Sequence, residues 1–275
     1  MTTTSIGRSL HIGLNRVNPD KYEGWDGELK GCENDACSME AIAAKQGFQT
    51  QVLLSDQATA AKASAAIKEA AAALHGGDIF LVTYSGHGGQ VPDRNGDEED
   101  NYDETWVLYD RQLVDDELYK LWGSFEPGVR IFVLSDSCHS GSAVRDMKEQ
   151  SGGYVPENLP RPRGLDAAQV QKFYAAHAED YDQIQRDNPL GHKVQVGASI
   201  ILISGCQDDE VSLDGNEHGL FTNALLKTWN GGKYKGSISN FHKRIRARLD
   251  GFQEPNLFTV GTTDAAYMRQ RPFTV

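Results

Sequence analysis

The 275-residue chain is 39% hydrophobic and 24% charged, the balance of an ordinary soluble globular protein with enough length to bury a substantial core. Asp and Glu number 39 against 27 Lys and Arg. The resulting net charge of −12 argues against nucleic acid or an anionic membrane as the main partner, and suits cationic substrates or metal cations. No apolar run reaches the ~20 residues of a membrane span, the first residues lack the apolar stretch of a secretory signal, and the four scattered cysteines form no CxxC pair. A reducing, cytoplasmic setting without a disulfide framework is expected.

Residues 10–14 read as a first buried strand, and 15–30, rich in glycine and charge, as a loop. A helix is predicted from a cap near Asn34 to Lys45, stopped by Gly47. Residues 48–54 read as a second strand, 59–75 as an alanine-rich helix ended by Gly76-Gly77, and 78–85 as a third strand. This alternation predicts a mainly parallel sheet with helices on its faces. Residues 105–109 add a strand, 115–122 a short helix and 130–134 another strand. The stretch 143–197 then breaks the pattern, with a Gly/Pro-rich start, a polar helix-like run over about 166–186 and no strand. An interruption of that length is usually a functional insertion. The pattern resumes with a strand at 199–203, helices at 219–229 and 239–249, and a strand at 256–261. The whole reads as one α/β domain, 1–275, whose portions 1–142 and 198–275 flank the insertion.

Two strand ends carry the chemistry. Tyr84-Ser-Gly-His87-Gly-Gly closes one apolar run, and Ser135-Asp136-Ser-Cys138-His139-Ser-Gly141 closes another. In an open α/β sheet, ligands bind outside the carboxyl ends of strands, so the two ends can bring an imidazole beside a thiol, the minimum for thiolate catalysis. The small-residue turn around Cys138 is expected to expose its sulfur, with the Cys138 and Gly88 N–H groups facing a developing oxyanion. His87 is the expected general base. His139 competes for that role, but its side chain should diverge from that of its sequence neighbour. Asp136, two residues before Cys138, falls on roughly the same side of the strand end and suits a cationic side chain at the cleaved position.

Tyr-Ser-Gly-His-Gly with Asp-Ser-Cys-His-Ser-Gly 51 residues later resembles the metacaspases among caspase-like cysteine peptidases. The resemblance extends to Gly31-Cys-Glu-Asn-Asp35-Ala, the acidic run Asp97 to Glu104, Val114-Asp115-Asp116-Glu117 and Ser204-Gly-Cys-Gln-Asp-Asp209. It implies a caspase-like three-layer α/β/α sandwich, of prokaryotic type without a prodomain and monomeric. It also implies an endopeptidase with Cys138 as nucleophile and His87 as base, cutting after Arg or Lys. Asp35 and Asp136 match the family's specificity pocket, with Cys32 and Ser85 beside them. Asp35 alone would also fit a helix cap.

The acidic stretch 93–104 imitates an EF-hand but carries Glu98 where the turn wants glycine. The family instead implies a single calcium ion held by Asp103, Asp115 and Asp116. Its fourth ligand position is Arg145 here, with Asp146 next to it. The insertion is expected to cover the site until it is cut or displaced, by the protein itself or by a partner protease, and Arg145, Lys148, Arg161, Arg163 and Lys172 are eligible for the cut. The alternatives are a peptidase of other specificity, a catalytically idle peptide-binding scaffold, or a calcium-responsive binding module.

Overall fold

The computed structural model describes residues 5–138, 161–206, 212–249, 253–262 and 264–275. Its centre is a six-stranded sheet built from β1 (Gly7–Gly13), β2 (Gln49–Leu54), β3 (Ile79–Ser85), β7 (Arg130–Asp136), β9 (Ser199–Ser204) and β11 (Asn256–Gly261). The spatial order is β11-β9-β7-β3-β1-β2, and β11 alone runs antiparallel. β3 is buried along its whole length. That is what its unbroken apolar run requires of a strand covered on both faces.

Alternate residues of each strand feed two separate cores. Phe80, Val82, Ile131 and Val133 pack towards α2 (Ala60–Ala73) and α3 (Asp115–Trp122). Leu81, Phe132, Leu134 and Ile201 pack the other way, against α1 (Cys32–Lys45), α6 (Leu220–Trp229) and α7 (Ile238–Leu249). The α2 helix presents Ala60, Ala63, Ala66 and Ala70 to the sheet, small residues that let helix and strands approach closely. The architecture is therefore the expected caspase-like α/β/α sandwich. Among the described residues, no helix is long and apolar enough to cross a membrane.

Local departures from the sequence reading all concern polar or glycine-rich segments. α1 begins at Cys32 behind Gly31, two residues before the expected Asn34 cap, so Asp35 lies inside the helix. The glycines after His87 enter a small antiparallel sheet, β4 (Gly88–Pro92), β5 (Tyr102–Val107) and β6 (Gln112–Val114). The polar run of the insertion breaks at His177 into α4 (Ala167–Ala176) and α5 (Ala178–Asp187). The insertion also contains a strand where none was expected. β8 (Arg161–Pro162) pairs antiparallel with β10 (Leu213–Asp214).

One core position sets a pH dependence. His11 on β1 is fully buried, with ring nitrogens 2.9 Å from the hydroxyls of Thr83 and Ser9. Burial pushes its pKa down from 6.5 to about 3. The unfolded chain takes up a proton that the native state refuses, so this group's stabilisation is complete above pH 6.5 and is lost as the pH falls towards 3. Between pH 6.5 and 5 the loss should be roughly 2 kcal/mol. Urea unfolding of the native protein and His11→Gln at both pH values checks this, and the variant should show a flatter pH dependence.

Candidate active site

The register of the sheet builds the site. Ser85 at the end of β3 pairs with Asp136 at the end of β7, so His87 and Cys138 each stand two residues beyond a matched pair. β1 lies on the other side of β3, and the chain leaving it enters α1, which brings Asp35 to Ser85; the hydroxyl donates to the carboxylate at 2.7 Å. The connections diverge between β1 and β3, which makes this the switch-point crevice where α/β sheets bind ligands.

His87 is 7% exposed, and its ring centroid lies 4.8 Å from that of Trp25. Its Nε2–H donates to the Gly27 carbonyl at 3.2 Å. That bond fixes the tautomer and leaves Nδ1 as the basic nitrogen. The His87 carbonyl accepts from the Tyr84 hydroxyl at 2.6 Å and from the Val107 amide at 3.0 Å, so the backbone of the base is held from two sides.

Cys138 is 0% exposed, not the accessible sulfur that its turn predicts. What lies over it is the insertion. The Arg163 carbonyl oxygen accepts from the Cys138 N–H at 2.9 Å and from the Gly88 N–H at 3.0 Å, the two donors expected of an oxyanion site. On one side, the Arg163 amide donates to the Ser212 carbonyl at 2.8 Å, extending the β8–β10 pairing. On the other side, the Leu165 amide donates to the Gly88 carbonyl at 3.0 Å. The Arg163–Gly164 peptide bond is thus held in an extended chain across the strand ends.

The Arg163 side chain is also 0% exposed and ends among three carboxylates, at 2.8 Å from Asp35, 2.9 Å from Asp136 and 2.7 Å from Asp214. Nη1 additionally donates to the Ser85 hydroxyl at 2.7 Å. Gly219 makes this possible, because a Cβ there would lie 2.4 Å from an Asp136 oxygen and 2.5 Å from the guanidinium carbon. Burial would push the Asp35 carboxyl up. The Arg163 charge and hydrogen bonds from His218 and Ser85 outweigh it and hold Asp35 below its ordinary value. Asp136 is pushed up by burial, which Arg163 only partly offsets, although its oxygens accept from Ser212 and Thr222. His218 donates to Asp35 at 2.9 Å, and that bond raises its pKa.

The site residues named from the sequence are therefore brought together: Cys138 and Gly88 on the Arg163 carbonyl, His87 at the adjoining strand end, Asp35, Asp136 and Ser85 on the guanidinium, and Cys32 buried in the first turn of α1. Sequence reasoning listed Arg163 only as a bond to be cut, and missed Asp214 and His218 altogether. Both lie in Leu213-Asp-Gly-Asn-Glu-His218-Gly, a polar turn segment whose composition is that of any surface loop.

A second acidic centre sits at the far end of the β4–β5 sheet. Oxygens of Asp103, Asp115 and Asp116 lie within 4.8 Å of one another, as do those of Asp93, Asp97 and Asp103. Asp103 is buried, and neither of its oxygens has a hydrogen-bond partner among the described residues. Burial, with the nearby acids, pushes it up to about 8 and Asp116 up to about 7. Buried, mutually repelling carboxylates of this kind fit a divalent cation bound by hard oxygen ligands. Asp146 lies outside the described residues. The insertion docks on this same hairpin: Gln185 donates to the Pro92 carbonyl at 2.9 Å, and the His192 amide to Asp97 at 2.9 Å.

Comparison with known proteins accords with this geometry. A caspase-domain family model matches residues 17–268. Metacaspase-1A of Aspergillus oryzae is 32% identical over 255 residues, covering 81% of this chain and 59% of that protein. The crystal structure of GSU0716 from Geobacter sulfurreducens is 50% identical, with TM-score 0.89 over 98% of this chain and 99% of that one. Caspase-1 of Spodoptera frugiperda shares the fold, with TM-score 0.54 at 11% identity, over 94% of this chain and 88% of its own. The chain spans about three-fifths of the length of the curated metacaspases it matches, 59%, 60% and 57% for three of them. With the caspase-domain match running through nearly its whole length, the chain belongs to the caspase-domain family of cysteine peptidases as a metacaspase-like member.

Proposed function

We propose that this protein is a cysteine endopeptidase that cuts peptide bonds after arginine or lysine. The observation that supports this most is Arg163, whose carbonyl and side chain occupy the positions a substrate would need. In the reaction, His87 Nδ1 takes the Cys138 thiol proton and the sulfur attacks the carbonyl carbon. The oxyanion so formed accepts from the Gly88 and Cys138 amides, donors already in place before the charge develops. His87 then protonates the departing amine, and water hydrolyses the thioester with His87 again as base.

The same arrangement makes the insertion a built-in occupant of the cleft. A peptide from outside must displace residues 161–165, or wait until the Arg163–Gly164 bond is cut. The cut would be made by Cys138 of the same chain or by a partner protease. In this reading the protein acts on basic peptides as a cytoplasmic monomer, with no role for nucleic acid or membrane. An idle scaffold is the second reading, favoured by the complete burial of Arg163 and Cys138.

Calcium is the cation that best suits the acidic centre. Asp103, Asp115 and Asp116 would hold it, with Asp146 as a further ligand. Its chemistry there would be to neutralise repelling carboxylates next to the segment on which the insertion docks.

Purified protein assayed on peptides ending in Arg, Lys or Asp should release product after Arg or Lys only, and Cys138→Ala should release none. Gly219→Ala, which puts a methyl group against the guanidinium position, should lower kcat/KM by about 10²-fold. Cleavage after Asp would contradict the basic pocket, and silence in every lane after limited proteolysis of the insertion would favour the scaffold. Calcium should raise the Tm of chelator-stripped protein at pH 8 by about 3 °C or more. Asp103→Asn should abolish that increase and raise the Tm of the metal-free protein, both measurable by calorimetry.

A further inference from the structure

We infer that Asp214 makes this pocket read arginine in preference to lysine, an assignment that rests on the peptidase reading above. The guanidinium presents its donors along two edges. On the Nη1 side lie the Ser85 hydroxyl at 2.7 Å, an Asp136 carboxylate oxygen at 2.9 Å and the Asp136 carbonyl at 3.4 Å. On the opposite edge, Nη2 donates to Asp35 at 2.8 Å and to Asp214 at 2.7 Å, while Nε–H donates to the same Asp214 oxygen at 3.3 Å. Every N–H of the group has an acceptor. Asp214 is the residue that receives the Nε–Nη2 edge, and lysine has no counterpart to that edge. A compact ammonium can sit beside the acceptors of one edge but cannot span both.

Asp214 is held for this task by the backbone. Its oxygens also accept from the Lys30 amide at 2.7 Å and the Gly31 amide at 3.1 Å, the residues that lead into α1 and its Asp35. The carboxylate is 3% exposed, so water does little to compensate it when a substrate leaves it without a cationic donor. A site built around buried acceptors discriminates strongly against a side chain that leaves one unmatched. Asp35 and Asp136 supply the general demand for a cation, and Asp214 adds the requirement for a fork.

The test compares kcat/KM for matched peptides ending in Arg and Lys, using the wild-type protein, Asp214→Asn and Asp35→Asn, each checked for folding by its Tm. Asn at 214 keeps one oxygen, for the Lys30 amide that Oδ2 accepts, and removes the charge and the second acceptor. The wild-type Arg:Lys ratio should be on the order of 10². Asp214→Asn should lower it about tenfold, chiefly through loss on the Arg peptide, and Asp35→Asn should lower both substrates together. Equal wild-type rates on Arg and Lys would overturn the assignment without any variant. So would an Asp214→Asn protein that loses both activities by the same factor. Failure to cut after either residue would instead sink the peptidase reading, and this assignment with it.

Discussion

One guanidinium set against three buried carboxylates is the constraint on which the rest of the cleft depends. Asp35 comes from the helix after β1, Asp136 from the end of β7 and Asp214 from the strand that pairs with the insertion. Three segments far apart in sequence thus converge on one cation. Removing a partner from a buried ion pair typically costs about 3–5 kcal/mol, because the charge left behind has lost its hydration without compensation. Emptying the cleft of its cation is therefore costly, and Arg163 supplies that cation. The arginine that fills the pocket also draws its own carbonyl onto the Gly88 and Cys138 amides. Side-chain recognition and oxyanion contact are two ends of a single residue.

This arrangement ties access to chemistry. The segment 161–165 is held by backbone pairing on both sides of Arg163 as well as by its side chain, so it leaves only if several contacts break together. In the peptidase reading proposed above, a competing peptide must bring its own cation, otherwise three acids are left facing one another. The docking of Gln185 and His192 on the β4–β5 hairpin extends the insertion's footprint to the acidic centre. The two charged sites are thus joined through one polypeptide segment.

Much of this could be read from the amino acids, and the reasons for the rest are physical. The buried strands announce themselves as apolar runs: residues 78–85 and 130–134 were expected, and Ile79–Ser85 and Arg130–Asp136 are found. The strand-end positions of His87 and Cys138 follow from where those runs stop. The β8–β10 pairing was illegible because two residues of strand, containing a proline, carry no alternation, and their partner lies some fifty residues away. The role of Arg163 was hidden for a related reason. A basic residue in a Gly/Pro-rich stretch looks solvated, and only the convergence of three acids from distant segments makes its burial tolerable. The exposed thiol expected at Cys138 failed on the same point, since local turn chemistry cannot report what the chain lays over it.

The most direct test of this account is to follow the intact mass and new N-termini of the full-length protein over time in calcium, beside Cys138→Ala. The account predicts that the first fragment begins at Gly164 and that the variant stays whole. A first cut elsewhere, for example after Lys148 or Lys172, would contradict it.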